Sequence, residues 1–176
     1  SIDDPRHNLT VSGSYYLLSN YSYFTNYYQE RQQGALFNVL QFTLRKQFTL
    51  YRHWKWRTLT TVQQVAGSAP VHVPLLFSSN QIGYDGSVGF HNLNISFGVE
   101  LRYISPYKAD GYAPETDQFY TQNKTVSQKL PDVNLYLHLR IRGVTAYIQG
   151  ENMSAMAFKP LGFGFYNNKF VAPAYH

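Results

Sequence analysis

The chain reads as an all-β protein whose antiparallel strands run up and down to form a transmembrane β-barrel, or a portion of a larger one. Three observations carry that expectation. From Leu93, the apolar residues Leu93, Ile95, Phe97, Val99, Leu101 and Tyr103 alternate with Asn94, Ser96, Gly98, Glu100 and Arg102, and Val133 to Arg142 repeats the pattern with Leu at 135, 137 and 139. Successive strand side chains point to opposite faces, so each segment has one apolar and one polar face. Second, these runs match the roughly 9–11 residues of a tilted bilayer-crossing strand better than the roughly 5–6 of a soluble one. Third, the links between apolar runs alternate short and long, as turns and loops do on the two sides of an outer-membrane barrel.

Rougher alternation marks strands at 9–18, 36–50, 54–65, 82–90 and 144–148, with weaker ones at 21–28 and 161–171. The links they leave are short at 19–20, longer at 29–35, short at 51–53, long at 66–81, short at 91–92, long at 105–132, a single Gly143 turn, and 152–160. About nine strands result, an odd number where bacterial single-chain barrels have even ones. We therefore expect one unit over 1–176, an incomplete barrel, with an extracellular loop at about 105–132 that caps or folds into the mouth. Tyr15, Tyr16, Tyr21, Tyr23, Phe24, Tyr27, Tyr28, Tyr51, Trp54, Trp56, Tyr103 and Tyr107 fall near strand ends, where amphipathic rings sit at membrane interfaces.

Composition supports extended structure and narrows the function. Sixteen Tyr and twelve Phe favour pleated surfaces, and charged residues make up only 14%. No run approaches the ~18 apolar residues of a membrane helix. Without cysteine, disulfides, thiol catalysis and Cys-ligated zinc are excluded. The net charge of +5 is scattered, which argues against nucleic acid as a partner. The six His lack metal-ligand spacing, no G-x-S-x-G elbow is present, and Gly162-Phe163-Gly164 lies between aromatics rather than in a phosphate loop. Asp110, Glu115 and Asp117 do not match a Ca²⁺ loop, and the N-x-S/T triplets read as chance in an Asn-rich chain. No cofactor, metal or enzymatic activity is expected.

The segment from Gly98 to Val133 also carries a resemblance. Gly98-Val99-Glu100, Arg102-Tyr103, Tyr107-Lys108-Ala109, Tyr112-Ala113-Pro114, Phe119-Tyr120 with Gln122, and Leu130-Pro131-Asp132-Val133 resemble the putative porin family of Bacteroidota outer membranes. Ser19 to Phe24 and Val73-Pro74-Leu75-Leu76 are similar to further family positions, whereas Gln149-Gly150-Glu151-Asn152 matches only in part and the family's final aromatic-ended strand has no counterpart. The resemblance implies the C-terminal part of a larger outer-membrane barrel, a passive diffusion channel for small polar solutes.

On that reading the polar strand face, with Glu100, Arg102, His138, Arg140 and Arg142, lines a wet pore, because facing lipid would cost up to about 2–4 kcal/mol per Arg. Four of those five are cationic or basic, so an anion preference is expected. The expected partners are the outer-membrane bilayer, small polar solutes and other outer-membrane proteins. A soluble β-sandwich or lipocalin-like ligand-binding module, and a barrel serving as accessory partner of another outer-membrane complex, stand as alternatives.

Overall fold

A computed structural model describes residues 1–26, 29–87, 93–125, 131–141, 143–151 and 153. Twelve strands are found among them: β1 (Ile2–Asp4), β2 (Leu9–Leu18), β3 (Tyr21–Thr25), β4 (Gln29–Gln33), β5 (Phe37–Tyr51), β6 (Trp54–Ala66), β7 (Leu76–Ser87), β8 (Leu93–Ile104), β9 (Gly111–Ala113), β10 (Gln118–Tyr120), β11 (Asp132–Ile141) and β12 (Val144–Gly150). Eight form one antiparallel sheet in the order β1-β2-β5-β6-β7-β8-β11-β12, and among the described residues β1 and β12 are its outermost strands and do not pair with each other, so the sheet is not closed. Each strand pairs with its predecessor in the sheet, the up-and-down arrangement read from the sequence.

The alternation of links survives, with different members. Residues 5–8, 52–53, 88–92 and 142–143 join sheet neighbours at one end, and 19–36, 67–75 and 105–131 join them at the other. Ser19-Asn20 is therefore not a turn between sheet neighbours. It opens a long connection that contains the β3–β4 hairpin, registered from Tyr21↔Gln33 to Thr25↔Gln29 and lying outside the main sheet. Asn20 takes a φ of +52° there, which a short polar side chain tolerates. β7 begins at Leu76 rather than 82. Ser78, Ser79, Asn80 and Gln81 hide it in the sequence, yet all four are registered against β6 and β8. The 105–132 connection is not structureless, since β9 and β10 form a second small hairpin. The strand expected at 161–171 lies outside the described residues.

Register assigns every strand residue to a face, because directly opposed residues in an antiparallel pair share one. One face carries Leu40, Phe42, Phe48, Val62, Ile82, Phe97, Val99, Leu101, Leu135 and Ile148, which remain 37–62% exposed. No second layer covers them among the described residues, and so many exposed apolar side chains on one face are the mark of a membrane or partner contact. The aromatics at its short-turn end touch one another. Phe48 stacks on Trp56 with centroids 4.8 Å apart, Tyr84 stacks on Phe97 at 5.4 Å, and Trp54 meets both Tyr84 and Phe97 edge-on at 5.8 Å. This is half of an aromatic girdle. Tyr21, Tyr23, Phe24 and Tyr107, expected to belong to such rings, sit in the loops instead, while Tyr27 and Tyr28 lie outside the described residues. Lys46 points to the same outer face, but its ammonium reaches back to donate to the His7 carbonyl at 2.6 Å.

The best-buried apolar side chains are not in the middle of the sheet. Phe37, Val39, Ala109, Ala113 and Tyr120, all at most 9% exposed, gather where the long connections meet. The Tyr120 ring lies on Gly111, where a Cβ would come within 2.3 Å of it. Thr121 donates both its amide, at 2.8 Å, and its hydroxyl, at 3.2 Å, to the Phe24 carbonyl, tying the β9–β10 hairpin to β3. A capped, packed end thus forms over one rim of the sheet.

A candidate pore lining

The second face of the sheet is polar and concave. A cavity of about 530 Å³ opens on it, lined by Asp3, Thr10, Arg45, Arg57, Ser79 and Glu100 among others, from six consecutive strands of the sheet. Side chains from strands that far apart converge on one hollow only if the sheet curls toward this face.

Four of the five residues expected to line a pore can be placed, and register puts all four here. Glu100 opposes Gln81 and Asn134, Arg102 opposes Ser79 and Asp132, His138 opposes Ser96, and Arg140 opposes Asn94. Arg142 lies outside the described residues. The four are not one cluster. Glu100 and Arg102, two apart on β8, form a bidentate pair, with Arg102 Nε and Nη2 each donating at 3.0 Å. Glu100 further accepts from Ser79 Oγ at 2.8 Å and from Asn134 Nδ2 at 3.5 Å. A carboxylate so supplied holds its geometry, because each donor satisfies a separate lone pair. His138 and Arg140 lie farther along β11 toward the short-turn end, where His138 meets the Tyr147 ring edge-on at 6.2 Å.

Other residues of this face were not singled out in the sequence. Lys55 pairs with Asp85 across β6 and β7 at 3.6 Å. Arg57 donates to Gln47 at 3.0 Å and to Gln81 at 3.2 Å, bridging β5, β6 and β7. Thr43 and Thr61 share a hydroxyl contact of 3.2 Å. Arg45, Lys55, Arg57, Arg102 and Arg140 thus share the face with Asp3, Asp85, Glu100 and Asp132. The expected cationic excess at β8 and β11 is therefore largely offset, by Glu100 beside Arg102 and by Asp132 opposite it. The signal for the rest was the shared parity of Arg45 with Gln47 and of Lys55 with Arg57.

Glycine shapes this wall at one place. Gly83 and Gly98 oppose each other on the concave face, and the Tyr136 side chain, opposite Gly98 in register, brings its phenol end over both. A Cβ on Gly98 would come within 2.4 Å of the Ile82 carbonyl and 2.6 Å of the Tyr136 hydroxyl. An aromatic laid over paired glycines restores the packing that they lack, and it keeps a large ring out of the hollow.

At the capped end, the His72 and Asp110 side chains approach to 3.9 Å, and among the described residues neither His72 Nδ1 nor Asp110 Oδ1 has a hydrogen-bond partner. Burial pushes the Asp110 carboxyl above its ordinary range, the nearby His72 pulling it partly back. Burial and the Asp110 charge likewise raise the Tyr107 phenol.

An up-and-down antiparallel wall with an apolar outer face, an aromatic girdle and a charged concave face defines the class of outer-membrane barrel proteins. A family model described as "Putative porin" matches residues 2–176, and the chain belongs to that family. Its role is accordingly porin-like, at the outer membrane. No curated protein and no solved structure matches it.

Proposed function

We propose that the protein is a passive channel for small polar solutes, its strands facing lipid on the convex side and water on the concave side. The carrying observation is the polar concave face, hydrogen-bonded in separate groups at Asp3–Thr10, Gln47–Arg57–Gln81 and Ser79–Glu100–Arg102. A wall facing only protein would not need five cations and four carboxylates on that side, and one facing lipid could not bear them. Solutes are sorted by width and by fixed charge, without a chemical step. The packed connections narrow the mouth, the 105–132 segment lying on the cell's outer side.

Because the cations are spread from β5 to β11, selectivity is set by the whole arc rather than by Arg140 and Arg142 alone. The test is reconstitution of the full protein into liposomes and planar bilayers. Sugars of graded size should enter until a cutoff is reached, and a stable ohmic conductance should appear. Impermeability to all sugars together with absent conductance would refute the channel.

A further inference from the structure

Two guanidinium groups share the concave cavity without a carboxylate partner among the described residues. Arg57 is held between the neutral amides of Gln47 and Gln81. Arg45 has no hydrogen-bond or ion-pair partner among the described residues. Gln47 opposes Arg57 and Arg45 opposes Leu59, so the two arginines stand on adjacent strands in a diagonal relation, about 7–8 Å apart at the backbone and within reach of a common point. The carboxylates around the cavity are already engaged. Glu100 is taken up by Arg102, Ser79 and Asn134. Asp4 accepts from the Arg6 and His7 amides and contacts the His7 imidazole at 2.6 Å. Asp3 accepts from the Thr10 hydroxyl.

We propose that this cavity is a binding site for a small hydroxylated oxyanion, a carboxylate or phosphate carried on a sugar-sized solute, gripped by Arg45 and Arg57. The planar fork of guanidinium matches both oxyanions bidentately, and the Gln47 and Gln81 amides fix the Arg57 fork before the solute arrives. Ser79 and Gln81 on the wall, with Asp3 across it, are placed to exchange hydrogen bonds with solute hydroxyls. The volume of about 530 Å³ suits a solute of that size. The site names the solute class of the channel proposed above and rests on that reading for its physiological use, although binding itself does not need conduction.

The experiment titrates the full protein, folded in detergent, with gluconate, inorganic phosphate and glucose by calorimetry, and repeats the titration as block of chloride current in bilayers. Gluconate or phosphate should bind saturably and reduce the current, and glucose should do neither; which anion binds better separates carboxylate from phosphate. Arg57→Gln should raise the half-saturating concentration at least tenfold, as expected for losing a charge-assisted contact. Arg45→Gln, which removes no described bond from the folded wall, should do the same, and Arg31→Gln, in the β3–β4 hairpin outside the main sheet, should leave binding unchanged. Conduction without anion binding, glucose binding equal to gluconate, or unchanged binding in Arg45→Gln overturns the site while the channel stands. Anion binding without conduction sustains the site and overturns the channel.

Discussion

Val99 is the place to test which way the wall faces. It lies on the outer face of β8, between Ile82 and Leu135 in register, and is 37% exposed. At about 3.3 Å per residue and a tilt near 40°, each strand residue advances about 2.5 Å in depth. Val99 therefore sits about 5 Å inside Phe97, which belongs to the short-turn girdle, and about 10 Å from Tyr103. An arginine there must leave its guanidinium in hydrocarbon or drag it to the nearer ring. Val99→Arg should therefore cost about 2–4 kcal/mol of folding stability in lipid. Leu137→Arg is opposed by Phe97 and lies in the girdle row, so it should cost only about 0–1 kcal/mol. Ser87→Arg and His138→Arg, on the concave face, should be tolerated. Reversible guanidinium unfolding from vesicles measures all four, read by the emission of the two tryptophans, Trp54 and Trp56, both at the girdle. If Val99→Arg and Ser87→Arg lose equal stability within about 0.5 kcal/mol, the outer face does not meet lipid and the orientation is wrong.

Three other outcomes follow. Glu100→Gln frees the Arg102 charge from its bidentate partner, so reversal potentials in a salt gradient should move toward anions; a move toward cations would mean that Glu100 does not face the solute path. An epitope inserted beside Asp117, at the tip of the β9–β10 hairpin, should be reachable by antibody on intact cells, and labelling confined to broken cells would invert the topology. Asp110 has its carboxyl raised by burial, so its ionised form opposes loop packing. That opposition is absent below the ordinary carboxylate range and grows as pH rises through the raised value. The capped end should accordingly resist limited proteolysis better in mild acid than at neutral pH, with His72 and Tyr107 the titratable neighbours. Asp110→Asn should resist equally at both, and an unchanged pH dependence in that variant would exclude Asp110 as its source.

The sheet was legible where alternation was clean, and less so where polar residues face lipid. Leu93 to Tyr103 and Val133 to Ile141 announce both faces, and the register of β8 with β11 follows from them. β7 was misplaced because Ser78 and Asn80 occupy outer positions, where they hydrogen-bond to each other at 3.0 Å and, through Ser78, approach Thr60 at 3.4 Å. A polar residue satisfied by its neighbour leaves no hydropathy signal, so periodicity cannot see it. The weak strand at 21–28 covers β3, but its partner β4 and the whole β9–β10 hairpin were read as plain connections for a different reason: Gln29 to Gln33 is wholly polar, and β9 and β10 span three residues each. The polar-face residues of β8 and β11 could be assigned to one side because those strands were clean. Arg45, Lys55 and Arg57 were passed over because their meaning depends on pairing across β5, β6 and β7, which no single segment encodes.

The Thr121 to Phe24 contact spans 97 residues of chain, and its two ends hang from connections four strands apart across the sheet. It acts as a bowstring drawn across the arc of β5 to β8. Were it to form first, closing so long a loop would cost about 4 kcal/mol of chain entropy beyond the fixed term. Once neighbouring hairpins have zipped in sequence, its ends already lie near each other and most of that cost has gone. The string is therefore expected to be tied last, after which it holds the sheet's bend against thermal flattening and gives the outermost described strands β1 and β12 a fixed curvature.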